Sequence, residues 1–274
     1  MNMRSIVKAL SVMIALLLML TFAADAFGQH KPKKTKYNKT KYKKTKYKGD
    51  ESTFGHVPQP TDCKIYKTFG ECPDIGCGGS KSEEPLNSRK NIKSADLTSA
   101  TNIEFEELRT MKKPDGYTPG GDRKPLTDAD EGKVFTTVAD MTAIRFGSQE
   151  SCNCKLSLAK DTDNHMVLIN QKVINKYKPA DWERHSFTVE FTPRSKDGHP
   201  DFRVSVIDKL IKDNPRARLR VRLTGTLMFD DYHEEHPLKN GRETNWELHP
   251  VWRFEYCLNQ KCTLQSDIGW KALN

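Results

Sequence analysis

The pattern of apolar and polar positions is sharp in the second half of the chain and weak in the first. Residues 133–146 alternate and are rich in Val, Thr and Phe, which predicts a half-buried strand. Residues 164–169 predict a second strand. In residues 186–192, Phe187, Val189 and Phe191 fall on one face and Thr188, Glu190 and Thr192 on the other, as the two-residue period of a strand requires. The period then changes. Over 203–213, Val204, Ile207, Leu210 and Ile211 have helical spacing, and Pro215 blocks continuation. Alternation returns in 218–229, with Leu219, Val221, Leu223 and Leu227 inward and Arg218, Arg220 and Arg222 outward. A fifth strand is expected over 244–256, with Trp246, Leu248, Trp252, Phe254 and Tyr256 inward.

Three strands, a helix and two strands is the order of the OB-fold, a five-stranded, partly open Greek-key barrel. The prediction is therefore a mainly β protein with an OB-like barrel over 132–257, a reasonable size for one domain. Residues 50–131 read as an irregular, cysteine-containing extension rich in Gly, Pro, Asp, Ser and Lys. Its one clear helix spans 102–111, with Thr101 or Asn102 as the cap and Pro114 and Gly116 as the stop. Residues 258–274 read as a C-terminal tail.

The chain also resembles a group of secreted bacterial proteins in several short pieces: Leu86-Asn87-Ser88-Arg89-Lys90-Asn91, Ser151-Cys152-Asn153-Cys154, the Asp163-x-His165 segment, Thr192-Pro193-Arg194, Thr224-Gly225-Thr226 and Trp246-Glu247-Leu248-His249-Pro250-Val251. The resemblance covers roughly 72–257 and implies an OB-like domain. It implies no activity and carries no functional residue over.

The start of the chain changes the picture of where it works. Arg4 and Lys8 precede an apolar run over 12–22, and Ala24-Asp25-Ala26 has the small-x-small form of a processing site. A signal peptide over 1–26, cleaved near Ala26, and a secreted or periplasmic location are expected, with no transmembrane span. Seven cysteines, Cys63, Cys72, Cys77, Cys152, Cys154, Cys257 and Cys262, fit an oxidising compartment. The number is odd, so one stays out of any set of internal disulfides. Cys257 and Cys262 are close enough to close a small loop. Cys152 and Cys154 strain as mutual partners and are expected to reach Cys63, Cys72 or Cys77.

Charge is unevenly placed. Residues 27–49 carry the repeat Lys-Thr-Lys-Tyr, with ten lysines and no acid in 31–48. Of the 45 basic side chains those ten and two in the signal are set aside, leaving 33, against 35 of the 36 acids, so residues 49–274 have a net charge of −2. The repeat is too polar to bury a core and is expected to be disordered. Lys36, Tyr37, Lys41, Tyr42, Lys46 and Tyr47 form a candidate binding segment for an anionic polymer or membrane surface, nucleic acid included, since dense lysine neutralises phosphates and tyrosine stacks on bases. On the barrel, the Arg218, Arg220, Arg222 stripe is the matching candidate, unless Glu190, Glu247 and Glu255 neutralise it across the sheet.

Histidines and acids suggest a second chemistry. His165 follows Asp163 by two residues, Asp230 and His233 lie in a loop crowded with acids and a second imidazole at His236, and His249 faces away from Trp246 and Leu248. Imidazole with carboxylate is a zinc ligand set, so Asp230, His233, His249 and His165 are the candidate metal residues. No His-Glu-x-x-His, Ser-His-Asp, phosphate-loop or dinucleotide pattern is present. The leading expectation is an exported, non-catalytic binding protein. The alternatives are a metal-dependent hydrolase using the His/Asp cluster and a structural envelope protein.

Overall fold

A computed structural model describes residues 62–233, 241–258 and 261–274. Residues 1–26, expected as a signal peptide, and the Lys/Tyr repeat lie outside them, as does His236. Among the described residues the strands are β1 (Thr101–Asn102), β2 (Val134–Phe146), β3 (Asn164–Ile169), β4 (Phe187–Phe191), β5 (Leu219–Phe229), β6 (Trp246–Cys257) and β7 (Lys271–Leu273). The α-helices among these residues are α1 (Glu84–Lys90), α2 (Phe105–Thr110), α3 (Lys124–Asp128), α4 (Gln171–Lys176), α5 (Pro193–Lys196) and α6 (Val204–Asp213).

β2 to β6 form a closed five-stranded barrel. The order is β2–β3–β4–β6–β5, and β5 returns to β2. All neighbours are antiparallel except β4 and β6. The length of β2 makes closure feasible. Its first part pairs with β5 and its last part with β3, and Met141 is opposite both Leu219 and Leu168. This is the expected OB order, with α6 between β4 and β5. Helix α6 buries Ile207 and Ile211 and packs its partly buried Val204 and Leu210 on the core.

The interior is aromatic and aliphatic. Trp246, Phe187, Phe191, Phe202 and Phe254 are fully buried. Each such side chain stabilises the fold by roughly 1.5–3 kcal/mol relative to exposure. The inward set differs from the expected one in β6. Leu248, Val251 and Phe254 enter the core, while Trp252 is half-exposed and its indole N–H donates to Thr226 Oγ1 at 2.9 Å. Two register shifts against β5, between Thr224 and Gly225 and between Gly225 and Leu227, each add a residue on β6, so the inward period becomes three.

Two further expectations change. Thr101 and Asn102 do not cap a helix; they form β1, parallel to the start of β2, and α2 begins later, after Glu104. The residues expected as a C-terminal tail include β7, which pairs with β6.

The extension lies on the outside of the barrel and is cross-linked to it. Disulfides join Cys63 to Cys77, Cys72 to Cys154 and Cys257 to Cys262. Cys152 is the odd cysteine and is a buried free thiol. The Cys72–Cys154 bridge ties the extension to the β2–β3 connection. Beside it, the Cys77 N–H donates to Ser151 O at 2.8 Å, and Asn91 Nδ2 donates to Cys152 O at 2.8 Å. Gly76 is required here twice over. Its φ is +72°, and a Cβ would come within 2.2 Å of Ser151 O. Cover from this extension explains why all five residues of β4 are buried, including both of its polar ones.

Candidate functional site

The outer face of β3, β4 and β6 carries polar residues that water does not reach. Alternation aims Glu190 out of β4 and Glu247 and His249 out of β6, opposite the core residues Val189 and Leu248. Register then sets the neighbours. His165 is opposite Glu190, and the parallel pairing of Thr188 with Glu247 runs β4 alongside β6. Asp163, one residue ahead of β3, shares the face of His165. Glu190, Glu247 and His249 are 0% exposed and Asp163 is 1% exposed.

Two basic residues enter this layer. Lys90, from the last turn of α1, places Nζ 2.9 Å from Glu150 Oε2 and 3.1 Å from Asp230 Oδ2. Arg242 reaches Glu247 Oε2 at 3.0 Å. Burial alone would lower the Lys90 pKa and raise that of Asp230. Their mutual attraction reverses both: Lys90 lies well above its ordinary value, helped by Glu150, and Asp230 lies well below, helped by His233 and Arg242. Glu247 is likewise held low against burial, by His249 and Arg242.

Asp163 and Glu190 have no such cation in contact among the described residues, and Lys90 acts on both only from a distance. The basic groups in ion-pair range of them are imidazoles. His249 Nε2 is 3.5 Å from Asp163 Oδ2, His249 Nδ1 is 3.6 Å from Glu190 Oε2, and His165 Nε2 is 3.1 Å from Glu190 Oε1 without hydrogen-bond geometry. Among the described residues no hydrogen-bond donor meets any of the four carboxylate oxygens of Asp163 and Glu190, and His249 Nε2 makes no hydrogen bond. Burial pushes the pKa of both carboxyls up, that of Glu190 strongly, with Glu247 adding to it. The Cys152 thiol beside them is also pushed up by burial, so it is not a reactive thiolate.

The candidate metal residues are thus regrouped. Among the described residues, two sets bring three ligand atoms within 4.8 Å of one another: Asp163, Glu190 and His249, and Glu150, Cys152 and Asp163. Neither holds Asp230, His233 or His165. Asp230 and His233 lie 3.7 Å apart, but Asp230 is taken by Lys90. His165 stands 3.1 Å from Glu190 Oε1 and is kept apart from His249 because β4 lies between β3 and β6. Sequence reasoning missed Glu190 and Asp163 as ligands and Lys90, Glu150 and Arg242 as neighbours. Two signals were there: Asp163-x-His165 and Glu247-x-His249 each put two ligand types on one strand face.

The arginine stripe is divided between partners. Arg222 donates twice to Glu255, at 2.7 Å each, and once to Asp267 at 2.6 Å, and it lies over the Trp270 ring. Arg220 lies 3.6 Å from Asp140. Of the three acids expected to neutralise the stripe, Glu255 does so, whereas Glu190 and Glu247 belong to the buried layer. The candidate tail residues Lys36, Tyr37, Lys41, Tyr42, Lys46 and Tyr47 lie outside the described residues.

One open cleft of about 680 Å3 adjoins the start of β3. The exposed ring of Phe146 and the buried rings of Phe69 and Phe202 contribute apolar surface. Lys160, Arg194, Lys196 and Arg203 face it against Asp161 and Asp197, and Arg194 and Arg203 also meet Asp74 at 2.8 Å and Asp201 at 3.5 Å. His199 stacks on Phe202, with centroids 4.4 Å apart, and Arg194 lies over Phe69. No family model, curated protein or solved structure matches the chain. Among the described residues no helix is long and apolar enough to cross a membrane. The disulfides fit an oxidising compartment.

Proposed function

We propose that this chain is an exported, non-catalytic binding protein for an anionic polymer of the envelope or extracellular space. The cleft beside β3 carries the reading. It has the size of a ligand site, basic side chains in its lining and aromatic surface, the combination that holds a charged chain by its groups and its rings together. The charge of the Lys/Tyr repeat is consistent with the same ligand class, since dense lysine raises the rate of encounter with a polyanion. The arginine stripe contributes less to this reading, since Arg222 is committed to Glu255 and Asp267.

A hydrolytic role finds less support. A catalytic metal needs an open position that substrate can reach, and Asp163, Glu190 and His249 are buried beneath the extension. The purely structural role is separated by experiment. Protein starting at Phe27 and protein starting at Gly49 are titrated against labelled single-stranded DNA and against lipopolysaccharide at several salt concentrations. The expected result is that the shorter chain still binds, with a smaller salt slope, and that the double change Lys160→Glu, Arg203→Glu weakens it at least tenfold. Absence of binding by the shorter chain would leave the barrel as a mere holder for the repeat.

A further inference from the structure

Among the described residues the buried layer holds more carboxylates than cations. Glu150, Asp163, Glu190, Asp230 and Glu247 face Lys90 and Arg242, and Lys196 acts on Asp163 from farther off while donating to Ala159 O and Thr162 O. Lys90 and Arg242 make their close contacts with Glu150, Asp230 and Glu247. Asp163 and Glu190 are left with four oxygens that accept no hydrogen bond, in a place closed to water. A buried carboxylate without donor or counterion is costly, so a native fold that keeps two of them side by side calls for a compensating positive charge.

We propose that Asp163, Glu190 and His249 hold one divalent first-row metal ion, zinc being the best match. The proposal goes beyond the anion-binding reading and rests on different residues. The imidazole is oriented for the task. Its Nδ1 lies 3.2 Å from Glu247 Oε1, in hydrogen-bond contact, and Glu247 is itself fixed by Arg242. With the proton on Nδ1, the Nε2 lone pair is free and faces Asp163. A carboxylate that holds the far nitrogen of a metal-bound imidazole is the usual outer support of such sites. The spacing also suits an ion. Two ligands at about 2.0–2.1 Å from zinc and at a tetrahedral angle are about 3.3–3.4 Å apart. His249 Nε2 and Asp163 Oδ2 are 3.5 Å apart.

Two carboxylates and one imidazole suit zinc or manganese better than a soft ion such as Cu(I). The neighbouring set, Glu150 with Cys152 and Asp163, is the poorer site because the Lys90 ammonium already stands 2.9 Å from Glu150. The ion would join the start of β3 to β4 and β6 beneath the extension, so its role is structural.

The test uses untagged protein from Phe27 to the C-terminus with its disulfides formed. It is loaded with zinc, dialysed against metal-free buffer and analysed by inductively coupled plasma mass spectrometry. About one equivalent should remain. Glu190→Gln keeps the shape of the side chain and should retain at most a tenth as much, while His233→Ala should retain the full equivalent. In parallel, chelator should lower the melting temperature of the unaltered protein and zinc should restore it, a readout that stands even where Glu190→Gln fails to fold. Loss of all zinc on dialysis with a melting temperature indifferent to chelator overturns the proposal. So does full retention by Glu190→Gln, and loss of zinc in His233→Ala would move the site to Asp230.

Discussion

Two ionic clusters on the same barrel are built from the same residue types and come out differently. Around Arg222 each carboxylate has a donor. One guanidinium meets Glu255 through two parallel hydrogen bonds, with Asp267 and the Trp270 ring beside it, and the surplus negative charge lies on Asp267 in solvent. Under the extension two carboxylates have no donor among the described residues. Lys90 and Arg242 contact three carboxylates, while among the described residues the basic groups in ion-pair range of Asp163 and Glu190 are imidazoles. An imbalance at the surface is relieved by water and salt. The same imbalance in a sealed layer must be met by a proton or by a bound cation. That contrast makes the buried cluster a candidate centre and the surface one a clasp.

The largest expected effect comes from opening the seal. The Cys72–Cys154 bridge spans 82 residues, and chain entropy alone assigns such a loop about 4–5 kcal/mol. The Cys257–Cys262 bridge beside the Arg222 clasp spans 5 residues and should contribute about 2 kcal/mol. Chemical unfolding of the two double-alanine variants checks the order, and equal losses would mean that the extension does not depend on its bridge.

Next is the removal of Lys90. Lys90→Met strands Asp230 and Glu150 in the buried layer and should cost about 3–5 kcal/mol. Arg222→Met, on the half-screened clasp, should cost about 1 kcal/mol. Urea midpoints of the two variants measure the contrast directly, and a Lys90→Met protein as stable as the parent would show that the layer is not as dry as its burial implies.

The pH dependence sharpens the same point. Lys90 holds Asp230 below its ordinary value, overriding burial. A depressed carboxylate contributes stability that is fully present above its unfolded pKa of about 3.9 and disappears as pH falls toward the folded value. The stability gap between the parent and Asp230→Asn should therefore be flat from pH 8 to 5 and close below about pH 4. A gap that widened on acidification would reverse the assigned sign. The smallest effect is expected at an exposed pair. Lys209 and Asp213, 2.7 Å apart on α6, should contribute at most about 0.5 kcal/mol, so Lys209→Ala serves as the reference variant.

Much of the barrel was legible because its period-two faces bury apolar residues, and that signal is local. Phe187, Val189 and Phe191 announce both the strand and its inward face. The helical spacing of Val204, Ile207 and Ile211 announces α6 and fixes its place in the order. Legibility fails where pairing departs from the period. Trp252 reads as inward until two register shifts against β5 turn it out and bring Val251 in. It fails again at the site, because ligands converge through partners that are far apart in sequence. His249 meets Asp163 across 86 positions, and nothing local marks Glu190 as anything but a solvated strand residue.

The sequence by itself determined the strand order, the helix within it, the close Cys257–Cys262 pair, the odd cysteine and the concentration of charge in residues 31–48, because each follows from composition or from spacing along one stretch of chain. Tertiary structure decided which outward face stays wet. β4 and β6 present acids and an imidazole to the outside, as alternation demands, and the cross-linked extension then closes over them. Burial is a property of what lies on top, and what lies on top comes from a distant part of the chain, as Lys90 does for Glu190 and His249. That is why Glu190 is a neutraliser of surface arginines in the linear reading and an uncompensated buried carboxylate in the folded chain.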